Sequence, residues 1–297
     1  MKDPVSIRCR LIGDSLRQYR EQAGRTIADA ARLLDCDRSK ISRVESGTRG
    51  ISPEEVRALL DDYAADPGDR EALEALASAG TARGWWDDYR ALLTHGYRDI
   101  MATEHAAASI AIYSPVGIPE LLHAEDYARA LAAASGQLPA AVQDMAVAAA
   151  MARQRTIFYA RPVNVTIVLA AAALRQQPGD RAVSRAQLRH LAELSASHPR
   201  VTIQLLPLTA SLHAARGSGM FSLLRFSQEP APALVLADGP GGGTLLDNQP
   251  SVTAYEQALA ELRSLALTEQ ESASWLMRMA GGPTGSANGS PLSARRA

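Results

Sequence analysis

Lysine, cysteine and long apolar runs are what this 297-residue chain has least of. Lys2 and Lys40 are the only lysines, and the other 29 of its 31 basic residues are arginine, a habit of GC-rich genomes and no guide to function. Two cysteines, Cys9 and Cys36, are too few for a disulfide framework and form no CxxC pair. Apolar stretches such as Ile167–Leu174 fall well short of the roughly 20 residues that cross a bilayer. The opening residues MKDPVSIRCR lack the apolar core of a secretory signal. These absences predict a cytoplasmic protein with no membrane contact.

An excess of either charge is also missing, since the net charge is −1. That balance is an average of unlike parts. Residues 1–50 carry 11 Lys+Arg against 7 Asp+Glu, and residues 51–100 carry 5 against 11. Surface fields act within a Debye length of about 8 Å, so the basic head can meet an anionic partner regardless of the whole.

The chemistry of an enzyme is missing as well. No HExxH, GxSxG or cluster of metal ligands occurs, and the six histidines are scattered. His123-Ala124-Glu125 has the HxE of zinc deaminases without the PCxxC that must follow. Gly239-Pro240-Gly241-Gly242-Gly243 follows an expected strand but has neither the GxxxxGK[ST] nor the GxGxxG spacing of phosphate loops. A strand-exit turn explains these glycines as well as a ligand does. Gly241, Gly242 and Gly243, with His213 beside the glycine-flanked Gly217-Ser218-Gly219, remain the possible ligand or partner contacts. Arg153 and Arg155 read as a solvated helix face. No enzyme, metal or cofactor is expected.

What is there begins with helix punctuation. Helices are expected over residues 13–23, stopped by Gly24, and over the segment IADAARLL, with Thr26 before it as the N-cap. Asp35-Cys36-Asp37 makes a turn, and Asp37 is expected to cap a helix from Arg38 to Ser46, ended by Gly47. Ser52-Pro53-Glu54-Glu55 is a capping box with proline at the first helical position, and Asp66-Pro67 opens a fifth helix closing near Gly80. Helices two and three meet the demands of a helix-turn-helix. Ala30 or Ala31 allows close packing, and the turn is short and polar. Ile41 and Val44 form one narrow buried stripe. Arg38, Ser39, Lys40, Ser42 and Arg43 are left on the exposed arc, all able to donate hydrogen bonds to phosphates and base edges.

These residues resemble the Cro/C1-type (XRE) helix-turn-helix: Arg20, Gly24, TIADAARLL and DRSKISRVESG occupy its positions. The resemblance implies that Arg20 pairs with Glu45 as a structural brace. It also implies that Arg38, Ser39 and Arg43 read base edges, while Thr26, Ser42 and Arg49 grip phosphates. Further on, GWWDDYR, IYSPVGIPELLHAEDYARAL, MARQ, AALR, RAQLRHL, VTIQLLP, HAARGSGMFSLLRF and DGPGGG resemble the C-terminal domain of actinobacterial WhiJ-type regulators. Glu120 stands where those relatives carry glycine. The family context implies a transcription regulator, or alternatively an antitoxin-like protein that restrains a small protein encoded nearby and autoregulates its operon.

The expected architecture is therefore an all-α, five-helix, lambda-repressor-like DNA-binding domain at 8–80, then a connecting segment at 81–101 in which Trp85-Trp86 serve as a core or interdomain element. An α+β effector or partner-binding domain follows at 102–280, with a small mixed sheet and flanking helices, then a disordered tail at 281–297. Helices are expected at 102–112, 124–135, 139–158, 181–197, 250–266 and 269–280. Strands 163–170 and 201–207 should pair in parallel through a βαβ crossover, and 219–226 with 233–239 should form a hairpin. One helix-turn-helix reads only about four or five base pairs, so a homodimer on double-stranded DNA is expected.

Overall fold

The computed structural model describes residues 7–79, 84–93, 95–136, 139–160, 163–226, 233–238 and 243–281. The predicted tail beyond Gly281 and the closing position at Gly80 lie outside them. The chain divides into two compact units, Met1–Ser109 with Leu224–Leu234, and Ile110–Leu223 with Val235–Ala297.

The first unit opens with the five expected helices: α1 (Ile7–Gln22), α2 (Ile27–Leu33), α3 (Arg38–Glu45), α4 (Pro53–Asp62) and α5 (Pro67–Ala79). Local chemistry sets their ends. Gly24 and Gly47 take φ of +66° and +69°, the left-handed conformation that stops α1 and α3. Thr26 and Ser52 each form a full capping box, with Asp29 and Glu55. Asp37 occupies the N-cap position of α3 in extended backbone, but its side chain makes no capping bond, which corrects the expected cap. Helix α1 begins at Ile7 rather than Gly13, so the glycine lies inside it.

Leu16, Ile41, Val44, Leu59, Leu60, Leu73 and Leu76 form the buried centre of this bundle. Tyr19 of α1 donates to Asp69 of α5, and burial raises the pKa of both groups. A 3₁₀ turn at Trp85–Tyr89 leads to α6 (His95–Ala106). Trp86 packs with Met101 and Ala102 of α6, and its ring stands edge-on to Trp85 with centroids 6.0 Å apart. Helix α6 ends at Ala106, and residues 109–112, expected as the end of a helix over 102–112, instead open strand β1 (Ser109–Ser114). Alternating burial of Ile110 and Ile112 outweighs the helical bias of the alanines before them.

A six-stranded mixed sheet follows, with β2 (Asn164–Ala170), β3 (Val201–Leu206), β4 (Phe221–Arg225), β5 (Ala233–Ala237) and β6 (Thr244–Leu246) in the order β3-β2-β1-β4-β5-β6. Strands β2 and β3 pair in parallel from Val165↔Val201 to Ala170↔Leu206. The connection runs through α9 (Arg181–Ser197), as the crossover predicts. Strands β5 and β6 pair antiparallel. Helices α7 (Glu125–Ser135), α8 (Ala140–Arg155), α10 (Gln249–Leu265) and α11 (Glu269–Gly281) complete the domain. The helix expected over 139–158 gives way at its end to a π-helical turn, Thr156–Ala160, which runs two residues beyond it.

Strand β3 is an edge, and an unpaired edge invites aggregation. Here the corner between α10 and α11 covers it. Leu267 N–H donates to Leu205 O at 2.9 Å, and Leu205 N–H donates to the fully buried Ser272 Oγ at 2.9 Å.

The turn Ile118–Ala124 is clamped from two helices. Gln187 of α9 donates to Leu122 O and accepts from Ala124 N–H, both at 2.7 Å. Gln154 of α8 donates to His123 O at 2.7 Å and to Glu120 O at 3.1 Å. The His123 ring, whose pKa burial lowers, lies 2.8 Å through Nε2 from Ile118 O. Arg153 is mostly buried and pairs with Glu120 at 3.5 Å, which corrects its reading as a solvated residue; Arg155 is exposed. Gln187→Leu keeps the volume but leaves a buried carbonyl and a buried N–H unmet. It should cost about 2–4 kcal/mol, read as a lower urea midpoint; an unchanged midpoint would mean that water or relaxation satisfies both groups.

Candidate nucleic-acid interface

The candidate surface is built on α2 and α3. Ala30 and Ala31 are buried where the two helices meet, and Ile41 and Val44 are each 1% exposed. That narrow stripe leaves Arg38, Ser39, Ser42 and Arg43 exposed on the remaining arc of α3. Arg43 folds back along its helix, with Nε donating to Ser39 O at 3.0 Å. The Arg43 carbonyl receives Thr48 Oγ1 at 3.1 Å, Ser46 Oγ at 3.2 Å and Arg49 N–H at 3.1 Å. These bonds tie the loop after α3 to its last turn and fix the exposed Arg49 beside the recognition surface.

Two expected contacts are already engaged. Thr26 Oγ1 donates to Asp29 at 2.7 Å and accepts from Asp29 N–H at 3.2 Å. The Thr26 hydroxyl, together with the Thr26 N–H that donates at 3.0 Å, holds the Asp29 carboxyl below its usual pKa. Lys40 is half-buried and ion-paired with Glu55, the third residue of α4. It therefore does not share the open arc with Arg38 and Arg43. Lys40 immediately precedes the buried Ile41, so its stem runs along the flank of the packed stripe toward α4.

Beneath this surface lies the Arg20–Glu45 brace. Nε donates to Oε1 at 2.7 Å and Nη2 to Oε2 at 2.9 Å, with both residues 7% exposed. Nη1 donates to Arg25 O at 2.9 Å, so the guanidinium also holds the turn between α1 and α2. The bond to Glu45 raises the Arg20 pKa further. Sequence reading missed the neighbouring role of Gly13. A Cβ there would press into the Val44 carbonyl oxygen and lie 3.1 Å from Glu45 C and O. A glycine inside a helix, three residues before a buried leucine, was the only signal.

The C-terminal candidates are not gathered in the same way. His213 packs its ring against Tyr113 with centroids 6.0 Å apart, and its Nδ1 is shielded without a hydrogen-bond partner. A Cβ on Gly243 would lie 3.9 Å from Asp238 Oδ1. Gly241 and Gly242 lie outside the described residues. Among the described residues no group of three or more His, Cys, Asp or Glu side chains could hold a metal, and no helix is long and apolar enough to cross a membrane.

The braced helix pair places the N-terminal region in the helix-turn-helix class, and residues 11–73 match the family described as a helix-turn-helix domain. Residues 97–278, more than half of the chain, match the domain of unknown function DUF5753, and the chain belongs to that family. No curated protein and no solved structure matches it.

Proposed function

We propose that this chain is a sequence-specific transcription regulator of the XRE type. It binds double-stranded DNA as a homodimer, and its C-terminal domain senses a partner protein or small molecule. It carries out no catalysis. The observation that supports this reading is an exposed Arg38-Ser39-Ser42-Arg43 face on a short helix that a buried ion pair holds in place. Arginines on such a face suit bidentate contact with guanine, and serines suit phosphates or bases. Arg49 adds a phosphate contact after α3, Thr26 adds one by exchanging its hydroxyl bond to Asp29 for a phosphate oxygen, and Lys40 contributes by seating α3 on α4.

The test is selection of the full chain against a random duplex pool, followed by titration of the selected duplex. A base-reading arginine replaced by alanine, Arg38→Ala or Arg43→Ala, should cost about 1–3 kcal/mol and relax the preference at one base position. A uniform loss over all sequences would reassign that residue to phosphate contact. Affinity should also fall steeply with salt; affinity indifferent to salt would sink the reading. Recovery of a small protein with the chain from its own cells, toxic when made alone, would turn the C-terminal role toward restraint of that partner.

A further inference from the structure

Helix α6 falls within the span of the C-terminal family, which begins at residue 97, yet it belongs to the first unit with the helix-turn-helix. Its Asp99 is 8% exposed and pairs with Arg8 of α1 at 3.4 Å. Arg8 lies in the first turn of α1, where the helix has no acidic residue. A cation at that end opposes the helix dipole, and a carboxylate there favours it. Asp99 supplies from outside the helix the negative charge that the first turn of α1 lacks.

The same stretch of α1 is the seat of the recognition helix. Gly13 meets the backbone at Val44 and Glu45, and a Cβ on Gly47 would lie 2.8 Å from Arg10 Cα. Gly13 and Arg10 thus lie against the C-terminal end of α3 and the residue that stops it, while Arg8 of the same stretch is held by α6. Two residues, Ala107 and Ala108, separate α6 from β1 along the chain.

We propose that Asp99 is a positioning residue for DNA binding. Contributed by the C-terminal family's span, it fixes the start of α1 through Arg8 and thereby sets how α3 is presented to the major groove. The inference rests on the DNA-binding reading. It adds a site of control: any change that moves α6 changes DNA affinity without touching a DNA-contacting residue.

The experiment uses the full chain and the duplex selected above, with binding and thermal midpoint measured for each protein. Asp99→Asn and Arg8→Gln should each weaken binding about 3- to 30-fold, the range of coupling through residues that touch no ligand. The exchanged pair, Arg8→Asp with Asp99→Arg, should recover most of that loss. Arg57→Ala, which breaks the exposed α4–α5 pair with Glu74, is the control and should leave affinity unchanged. Unaltered affinity in both single variants, no recovery in the exchange, or an equal loss in Arg57→Ala would overturn the proposal. If Asp99→Asn does not fold, Arg8→Gln and the exchange carry the comparison. A wild-type chain that selects no duplex would instead overturn the DNA reading itself, a separate outcome.

Discussion

Glu45→Ala should unfold the helix-turn-helix unit at temperatures where the wild type is intact. Arg20 loses both carboxylate bonds, at 2.7 and 2.9 Å, and keeps the Arg25 carbonyl and a longer, 3.5 Å approach to the exposed Glu21 carboxylate. Its guanidinium cannot shed the proton, so a cation remains in a site where the residue is 7% exposed. Stranding one partner of a buried pair costs about 3–5 kcal/mol. Against a typical total of about 5–15 kcal/mol, that is a large share. A unit of this size loses about 4–8 °C per kcal/mol, so the drop should be on the order of 15 °C or more. Glu45→Gln, which keeps the shape and one acceptor, should lose less than half as much. The paired replacement Arg20→Met with Glu45→Met should recover most of the stability, because no charge is then buried. Circular dichroism melts of the three proteins decide the matter. Equal midpoints for the alanine and glutamine variants would show that the carboxylate's charge, and not its shape or its remaining acceptor, holds α3 to α1.

The brace was legible in the sequence only through family resemblance, because 25 residues separate its two members and no local rule joins them. The limits of α2, α3 and α4 were legible from local chemistry, whereas the start of α1 and the end of α6 were not. Thr26–Asp29 and Ser52–Glu55 are reciprocal caps readable at a spacing of three, and Gly24 and Gly47 stop helices by taking positive φ. The parallel β2–β3 pair followed from two apolar runs flanking a helix of 17 residues. Strand β1 was hidden by the alanines that precede it, and β6 is only three residues long, too short for a pattern. Lys40 looked open because its partner, Glu55, lies on another helix. The role of Gly13 was hidden for the same reason, since the group that demands a glycine belongs to α3.

Gly13→Ala sets two known effects against each other. Alanine in a helix interior is favoured over glycine by about 1 kcal/mol, which alone would stabilise α1. The new Cβ, however, would press into the Val44 carbonyl oxygen and come within 3.1 Å of Glu45 C and O. A flexible side chain could turn away from it, but these are backbone atoms of the recognition helix. They move only if α3 moves, and α3 is fixed to α1 by the Arg20–Glu45 pair. Overpacking of this kind costs about 1–3 kcal/mol, so the clash outweighs the propensity gain. The net result should be a lower melting midpoint and a loss of DNA affinity larger than the unfolded fraction explains. Gly24→Ala separates the two causes. Gly24 has φ of +66° and nothing within 4 Å of a Cβ, so alanine there strains the backbone without displacing α3. It should lower the midpoint by a comparable amount and leave the affinity of the folded protein intact. A Gly13→Ala protein that melts higher than wild type would show that propensity wins and that α1 and α3 approach less closely than the backbone positions require.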